Sequence, residues 1–246
     1  YTNTYHVDST QTLNATPHNS LYAFYSNFGY SFTDDISMQV GARYEHAAIG
    51  GTFRDTTIER AYPNLFPSAS ISWKLSQEYQ LTANYNRSIQ LPWVNILNPR
   101  ATRSSSTSQF VGNPEIRPEF THSLELSANA FLGSTTITIS PYYKKTVDEI
   151  KLNSVLINDI YTNSYVNYSG LQTIGIDGTF NYRTRTGFSA RLNLSTQNYK
   201  NGGGTAYSSD FATESTNASA NGSVSYEVIK GLTLNVNGRY MSPYTI

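Results

Sequence analysis

Residues 36–45, ISMQVGARYE, alternate without a break. Ile36, Met38, Val40, Ala42 and Tyr44 fall on one parity, and Ser37, Gln39, Gly41, Arg43 and Glu45 on the other. Successive side chains of an extended chain point to opposite faces, so the run predicts a strand with one apolar and one polar face. The pattern recurs. Tyr79, Leu81, Ala83, Tyr85, Ile89 and Leu91 stand against Gln80, Thr82, Asn84, Asn86, Ser88 and Gln90. Phe188, Ala190, Leu192 and Leu194 stand against Ser189, Arg191, Asn193 and Ser195. Leu232, Leu234, Val236 and Tyr240 stand against Thr233, Asn235, Asn237 and Arg239. Fainter alternation runs over residues 20–33, 67–75, 119–132, 135–148, 166–183 and 212–228. The chain is thus predicted to be all-β and antiparallel, with about ten strands.

The predicted connections alternate in length. Asp34-Asp35, Ser76-Gln77-Glu78, Gly133-Ser134, Arg185-Thr186-Gly187 and Lys230-Gly231 are short polar turns suited to hairpins. Between them lie long connections over residues 50–66, 92–118, 149–165 and 200–211. Tight turns at one end and long loops at the other are the asymmetry of a transmembrane β-barrel. Runs such as 119–132 exceed the roughly 5–6 residues of an ordinary globular strand, and a tilted strand needs about 9–11 to cross hydrocarbon. The polar parity carries Gln39, Arg43, Asn84, Glu125, Asp177, Arg191 and Arg239, which a dry core would have to pair. A hydrated lumen would not.

Composition narrows the reading. The 246 residues include 20 Tyr and 11 Phe but only two Met, and tyrosine suits a boundary with one apolar and one wet side. Mean hydropathy is −0.42, and no apolar run approaches the length of a membrane-crossing helix; a barrel hides its membrane signal in alternation. The 17 basic and 17 acidic side chains cancel, so nothing marks a nucleic-acid partner. Outer-membrane lipid is the expected partner of the apolar face. There is no cysteine, and His6, His18, His46 and His122 show no zinc-site spacing. No metal or other cofactor is expected. The first residues lack both a basic and an apolar segment of a secretion signal, and the last end without a strand-final aromatic. The first feature is expected either of a chain whose signal has been removed or of an internal piece of a longer chain, and the second favours the internal piece.

Enzymatic motifs are missing. Neither Gly-x-Ser-x-Gly nor His-Glu-x-x-His occurs. A barrel protease would need Asp and His together at its rim. His46 and His122 fall on the apolar parity, while Asp148, Glu149 and Asp159 lie near one long loop without a histidine. The glycine-rich YKNGGGTAYSSD follows a strand and opens no helix, so a phosphate loop is not expected. Tyr22, Phe24, Phe28, Tyr30 and Phe32 share one parity and suit lipid contact. Arg43, Glu45, Glu125, Arg191, Glu227 and Arg239 share the polar parity. They could line a solute path or fill the lumen as salt-bridge ladders, the second being preferred. Trp93, Arg100 and Arg103 lie in the 92–118 loop, where binding residues concentrate. Trp93 alone also suits an interfacial girdle, the preferred role for it.

One segment interrupts the alternation. VGNPEIRPEF, residues 111–120, carries two prolines that cannot donate to a ladder. It is expected to end a long loop, with Pro114 and Pro118 stiffening the approach and Glu119 and Phe120 resuming pairing. Gly112, Asn113, Pro114, Pro118 and Glu119, followed by a long alternating strand, resemble a segment of TonB-dependent outer-membrane receptors. The preceding YNRSIQLPWVNILNP, the hairpin SLYAFYSNFGYSFTDDISMQVGARYEH and GRYMSPY are similar to other parts of the same barrels. The related outer-membrane β-barrel family of Gram-negative bacteria is resembled over about residues 21–244. The resemblance implies a barrel of roughly 22 strands closed by an N-terminal plug and energised through TonB. Residues 1–246 would then be a barrel segment only, the plug, the TonB contact and the other strands lying outside this sequence. It implies uptake of a small, scarce solute. The runner-up is a structural or surface-scaffold barrel without transport.

Overall fold

The computed structural model describes residues 15–53, 56–202 and 214–243. Fourteen strands are formed among them. In chain order these are β1 (Ala15–Ser31), β2 (Ile36–Phe53), β3 (Thr56–Lys74), β4 (Tyr79–Gln90), β5 (Ala101–Ser105), β6 (Ser108–Val111) and β7 (Glu119–Leu132). Then follow β8 (Thr135–Val147), β9 (Glu149–Ile157), β10 (Ile160–Tyr168), β11 (Leu171–Arg183), β12 (Phe188–Asn201), β13 (Glu214–Ile229) and β14 (Leu232–Met241). One 3₁₀ turn, Val94–Leu97, sits between β4 and β5. No helix among the described residues is long and apolar enough to cross a membrane.

Ten strands pair in the order β1-β2-β3-β4-β7-β8-β11-β12-β13-β14, with β1 and β14 at the two ends. These are the ten predicted from alternation. The expected short turns close one end, and short hydroxyl residues hold three of them. Thr33 Oγ1 accepts the Asp35 and Ile36 N–H groups at 3.2 and 3.0 Å. Ser76 Oγ receives those of Glu78 and Tyr79, and Thr184 Oγ1 that of Phe188. In the two-residue turn after β7, Gly133 has φ of 61°, a conformation glycine adopts without steric cost.

Cross-strand partners lie on the same face of a sheet, so the registers test the expected faces directly. Phe24, Tyr44 and Leu65 stand in one row, and Tyr25, Arg43 and Phe66 in the next. Followed across all ten strands, one face carries Phe24, Leu65, Trp73, Leu126, Ile176, Leu194 and Leu234. It is open to the surroundings, with Phe24 at 71% and Leu234 at 61% exposure. Burying such a side chain gains about 1.5–3 kcal/mol, so a continuous band of them calls for an apolar solvent. The other face is hydroxyl and amide. Ser70 donates to Asn84 at 2.8 Å, Thr138 to Asn129 at 2.8 Å, and Tyr142 to Gln197 at 2.8 Å. The wall is inside out compared with a water-soluble sandwich.

Three expected boundaries are corrected. Residues 50–66, expected as a loop, continue the β2–β3 hairpin up to Phe53 and from Thr56. Residues 92–118 and 149–165, expected as irregular connections, build a second sheet of order β5-β6-β10-β9. The expected strand over 166–183 is two strands, since Ser169 and Gly170 divide β10 of the small sheet from β11 of the wall. The expected 200–211 connection lies, from residue 203, outside the described residues.

The main hydrophobic cluster among the described residues sits at the loop end of the wall, where wall strands meet a loop segment. Ile49, Phe53 and Ile58, on the polar-face parity at the loop end of β2 and β3, pack with Ile96, Leu97 and Ile116 of the 92–118 segment. Leu97 has no exposed surface. The segment folds back over the top of the polar face, and there that face turns apolar to receive it.

Candidate functional site

The loop end of the wall is an ordered mouth. Two loops far apart in sequence meet where β6 runs parallel to β10, with Tyr161, Thr162 and Asn163 opposite Ser108, Gln109 and Phe110. Gln109 Nε2 donates to Thr162 Oγ1 at 2.9 Å, and Asn163 Nδ2 reaches Ser108 Oγ and Gln109 O.

The loop-to-strand motif fastens this mouth to the wall. A Cβ on Gly112 would stand 2.4 Å from the Asn98 carbonyl oxygen and 2.6 Å from that of Ile96, so the two chain segments touch backbone to backbone. Asn113 N–H donates to Ile96 O at 2.7 Å. Its side chain accepts Glu115 N–H at 2.9 Å and donates to Tyr165 O at 3.2 Å. Arg60 of β3 donates to Pro114 O at 3.0 Å and pairs with Glu115. Pro118 is buried. Glu119, the first residue of β7, accepts Ile150 N–H at 2.7 Å. Burial pushes the Glu119 carboxyl above the ordinary carboxylate range; the Ile150 N–H opposes this, Glu149 adds to it and Lys151 opposes it. One clamp was not singled out from sequence. Asn167 Nδ2 donates to Arg117 O at 2.9 Å and Asp148 O at 2.8 Å, and its Oδ1 accepts Arg117 N–H at 2.8 Å. Nothing in the alternation distinguishes it from other asparagines.

Trp93 caps the 3₁₀ turn and lies edge-on to Tyr165, 6.3 Å between ring centres. With Pro17, Asn19, Ile49, Phe53 and Val94 it lines a cavity of about 460 Å³. Those β1 and β2 residues are on the polar-face parity, so Trp93 stands inside the mouth. The girdle role expected for it is corrected, because the 92–118 segment carries the indole inward from the strand end. Arg100 and Arg103 are exposed at the start of the loop sheet, and Arg100 N–H donates to Asn98 Oδ1.

The six charged residues of the polar parity do share one face, but they do not form one cluster. Arg43 and Glu45 pair at 3.1 Å. Glu125 accepts Ser127 Oγ–H at 2.9 Å. Arg191 donates to Asn181 Oδ1 at 2.8 Å. Glu227 accepts Gly231 N–H and closes the last turn. Arg239 is exposed on β14, opposite Asn221. Among the described residues the preferred salt-bridge ladder is reduced to the Arg43–Glu45 pair, while Glu125, Arg191 and Glu227 bond to neutral neighbours. His46 and His122 lie on the apolar-face parity as expected, and His122 Nδ1 meets Tyr85 Oη at 2.9 Å. No three His, Asp or Glu side chains among the described residues are grouped to hold a metal ion.

Comparison with known proteins agrees with this architecture. The family model described as the outer membrane protein beta-barrel family matches residues 1–246. No curated protein sequence matches the chain. Among solved structures, the chain is similar to the hemophore receptor HasR of Serratia marcescens, solved with its hemophore HasA and heme. The TM-score is 0.73 at 14% identity, over 92% of this chain and 44% of that one. The FrpB iron transporter from Neisseria meningitidis gives 0.65 at 17% identity, over 94% and 34%. The siderophore receptor PirA from Pseudomonas aeruginosa gives 0.54 at 13%, over 91% and 53%. The chain therefore spans about a third to a half of these receptors and transporters, and at such identities the likeness is one of fold. With an apolar outer face, a polar inner face and a family match from first residue to last, the chain belongs to the outer membrane protein beta-barrel family.

Proposed function

We propose that this chain is part of the barrel of a TonB-dependent type receptor that takes up a scarce small solute across the outer membrane of a Gram-negative bacterium. The observation that carries the reading is the mouth. An ordered two-loop sheet leans over the inner face and leaves a cavity beside Trp93, which a barrel built only for surface scaffolding does not need. The receptors and transporters of like fold are named for a hemophore, iron and a siderophore, so a metal complex is the first solute to try. The solute is captured by the loops around Trp93, Arg100 and Arg103 and passes along the hydroxyl and amide wall. Binding and passage suffice; no catalytic step is invoked. The plug, the strands that close β1 to β14 and the TonB contact lie on the parts of the protein outside this sequence.

The test is a deletion strain grown on limiting iron supplied as heme or as ferric siderophores, complemented with wild type or Trp93→Ala. Loss of growth on one source, restored by wild type and at least tenfold less well by Trp93→Ala, is the expected result. Equal growth of deletion and wild type on every metal complex and other scarce solute tried, with the protein abundant at the cell surface, overturns the reading in favour of a scaffold.

A further inference from the structure

We infer that Lys145 and Lys200, on the outer face at the loop end of the wall, hold the phosphate of an outer-leaflet glycolipid between them. The inference rests on the wall lying in the membrane with its long loops outside, and not on uptake.

The outer face is almost without charge. Along the apolar parity of the ten wall strands, the Asp, Glu, Lys and Arg side chains among the described residues are Glu59, Arg87, Lys145, Lys200 and Glu214. Each lies at the loop end of its strand. From there down to the short turns that face carries none. A charge facing hydrocarbon is costly at mid-depth and cheap only near the interface. The five therefore mark the level at which the apolar slab gives way to headgroups.

They are not scattered. The registers set Arg87, His122, Lys145, Gln172, Lys200 and Glu214 in one row across β4, β7, β8, β11, β12 and β13. Two residues nearer the turns, the same face carries Leu124, Tyr143 and Ile174, all exposed. Partners decide which charges of the row are open. Arg87 Nη1 donates to the Leu65 carbonyl at 2.9 Å, and the guanidinium lies 4.2 Å from the Phe120 ring centre. His122 Nδ1 meets Tyr85 Oη. Glu214 accepts Asn198 Nδ2–H at 3.1 Å. Lys145 and Lys200 are exposed, and neither pairs with a carboxylate among the described residues.

These two lysines flank Gln172, their backbones two strand spacings or about 10 Å apart. Lysine carries a compact charge on a flexible stem that can run along apolar surface. Both ammonium groups can thus close on one phosphate, with the Gln172 amide as a further donor between them. Acyl chains below that phosphate would lie over Leu124, Tyr143 and Ile174. A free phosphate ion has no use for that apolar row, and a lipid does. Lys144 supplies the contrast within the same strand. It falls on the inner parity, with Nζ 4.8 Å from the Tyr142 ring centre.

The experiment titrates the full-length protein in detergent micelles with diphosphorylated lipid A, bound lipid being counted by native mass spectrometry. Lys145→Gln with Lys200→Gln is expected to weaken binding at least tenfold, while Lys144→Gln leaves it unchanged. Lipid A stripped of its phosphates is expected to bind wild type at least tenfold more weakly. Should the glutamine pair not fold, Lys145→Arg with Lys200→Arg keeps both charges and is expected to bind within about twofold of wild type. Failure of lipid A to bind wild type overturns the proposal. Equal binding by the glutamine pair, equal binding of the stripped lipid, or the same loss in Lys144→Gln overturns it too. Since the readout is lipid binding, any of these leaves the uptake reading standing.

Discussion

At the scale of single residues, the mouth is held by a few side chains that answer backbone groups the ladders leave open. Asn167 satisfies two carbonyls and one N–H across the 92–118 and 149–168 segments. Asn167→Ala is expected to cost about 1–3 kcal/mol, read as faster hydrogen exchange at the Arg117 amide; unchanged protection there would show the clamp to be idle. Glu119 gives a pH signature. Its folded carboxyl is raised above the ordinary range chiefly by burial, so the folded state holds its proton longer than the unfolded chain does. Local stability therefore falls as pH rises from the ordinary carboxylate value through the raised one, and does not change below both. Protection of the Ile150 amide, taken as its exchange relative to the unprotected rate at the same pH, is expected to fall across that window, and Glu119→Gln, which keeps an acceptor oxygen, to flatten the dependence. The motif residues Gly112, Asn113 and Glu119 were grouped by their resemblance to a segment of TonB-dependent receptor barrels. Asn167 was not, because its role depends on Arg117, 50 residues away.

At the scale of strands, alternation reads both the element and its face. Leu126 of β7 is half exposed on the apolar face, and Asn237 of β14 is exposed on the polar one. Leu126→Arg is expected to destabilise by about 2–4 kcal/mol, the cost of a cation facing hydrocarbon. Asn237→Arg should stay within about 0.5 kcal/mol. Urea unfolding in lipid vesicles separates them, and equal losses would contradict the facing. The strands misread were those whose pattern blurs. Above Glu45, β2 reads His46, Ala47, Ala48, Ile49, Gly50, Gly51. There the inner parity turns apolar to meet the 92–118 segment while the outer parity carries His46, Ala48 and Gly50, so no period of two survives.

At the scale of the whole molecule, the wall draws its apolar solvent from the membrane and keeps its own core for the mouth. Leu97 is fully enclosed in that core. Leu97→Ala is expected to cost about 2–5 kcal/mol locally while leaving the ten-stranded wall folded. Protease added outside cells should then cut the 101–111 hairpin at least tenfold faster than in wild type, with heat-modified migration on gels unchanged. Collapse of the whole barrel instead would show that wall and mouth fold as one unit.

Alternation alone located the ten wall strands, their turns and the face that meets lipid, though not the loop-end halves of β2 and β3 or the break between β10 and β11, because a two-residue period and a tight polar turn are local properties of the chain. The small sheet, the apolar lining of the mouth and the inward place of Trp93 came only with the tertiary structure. Each of these joins residues that only the fold brings within hydrogen-bond or van der Waals reach. In each, side chains answer the arrival of the 92–118 segment, and that event is not written in the neighbouring residues.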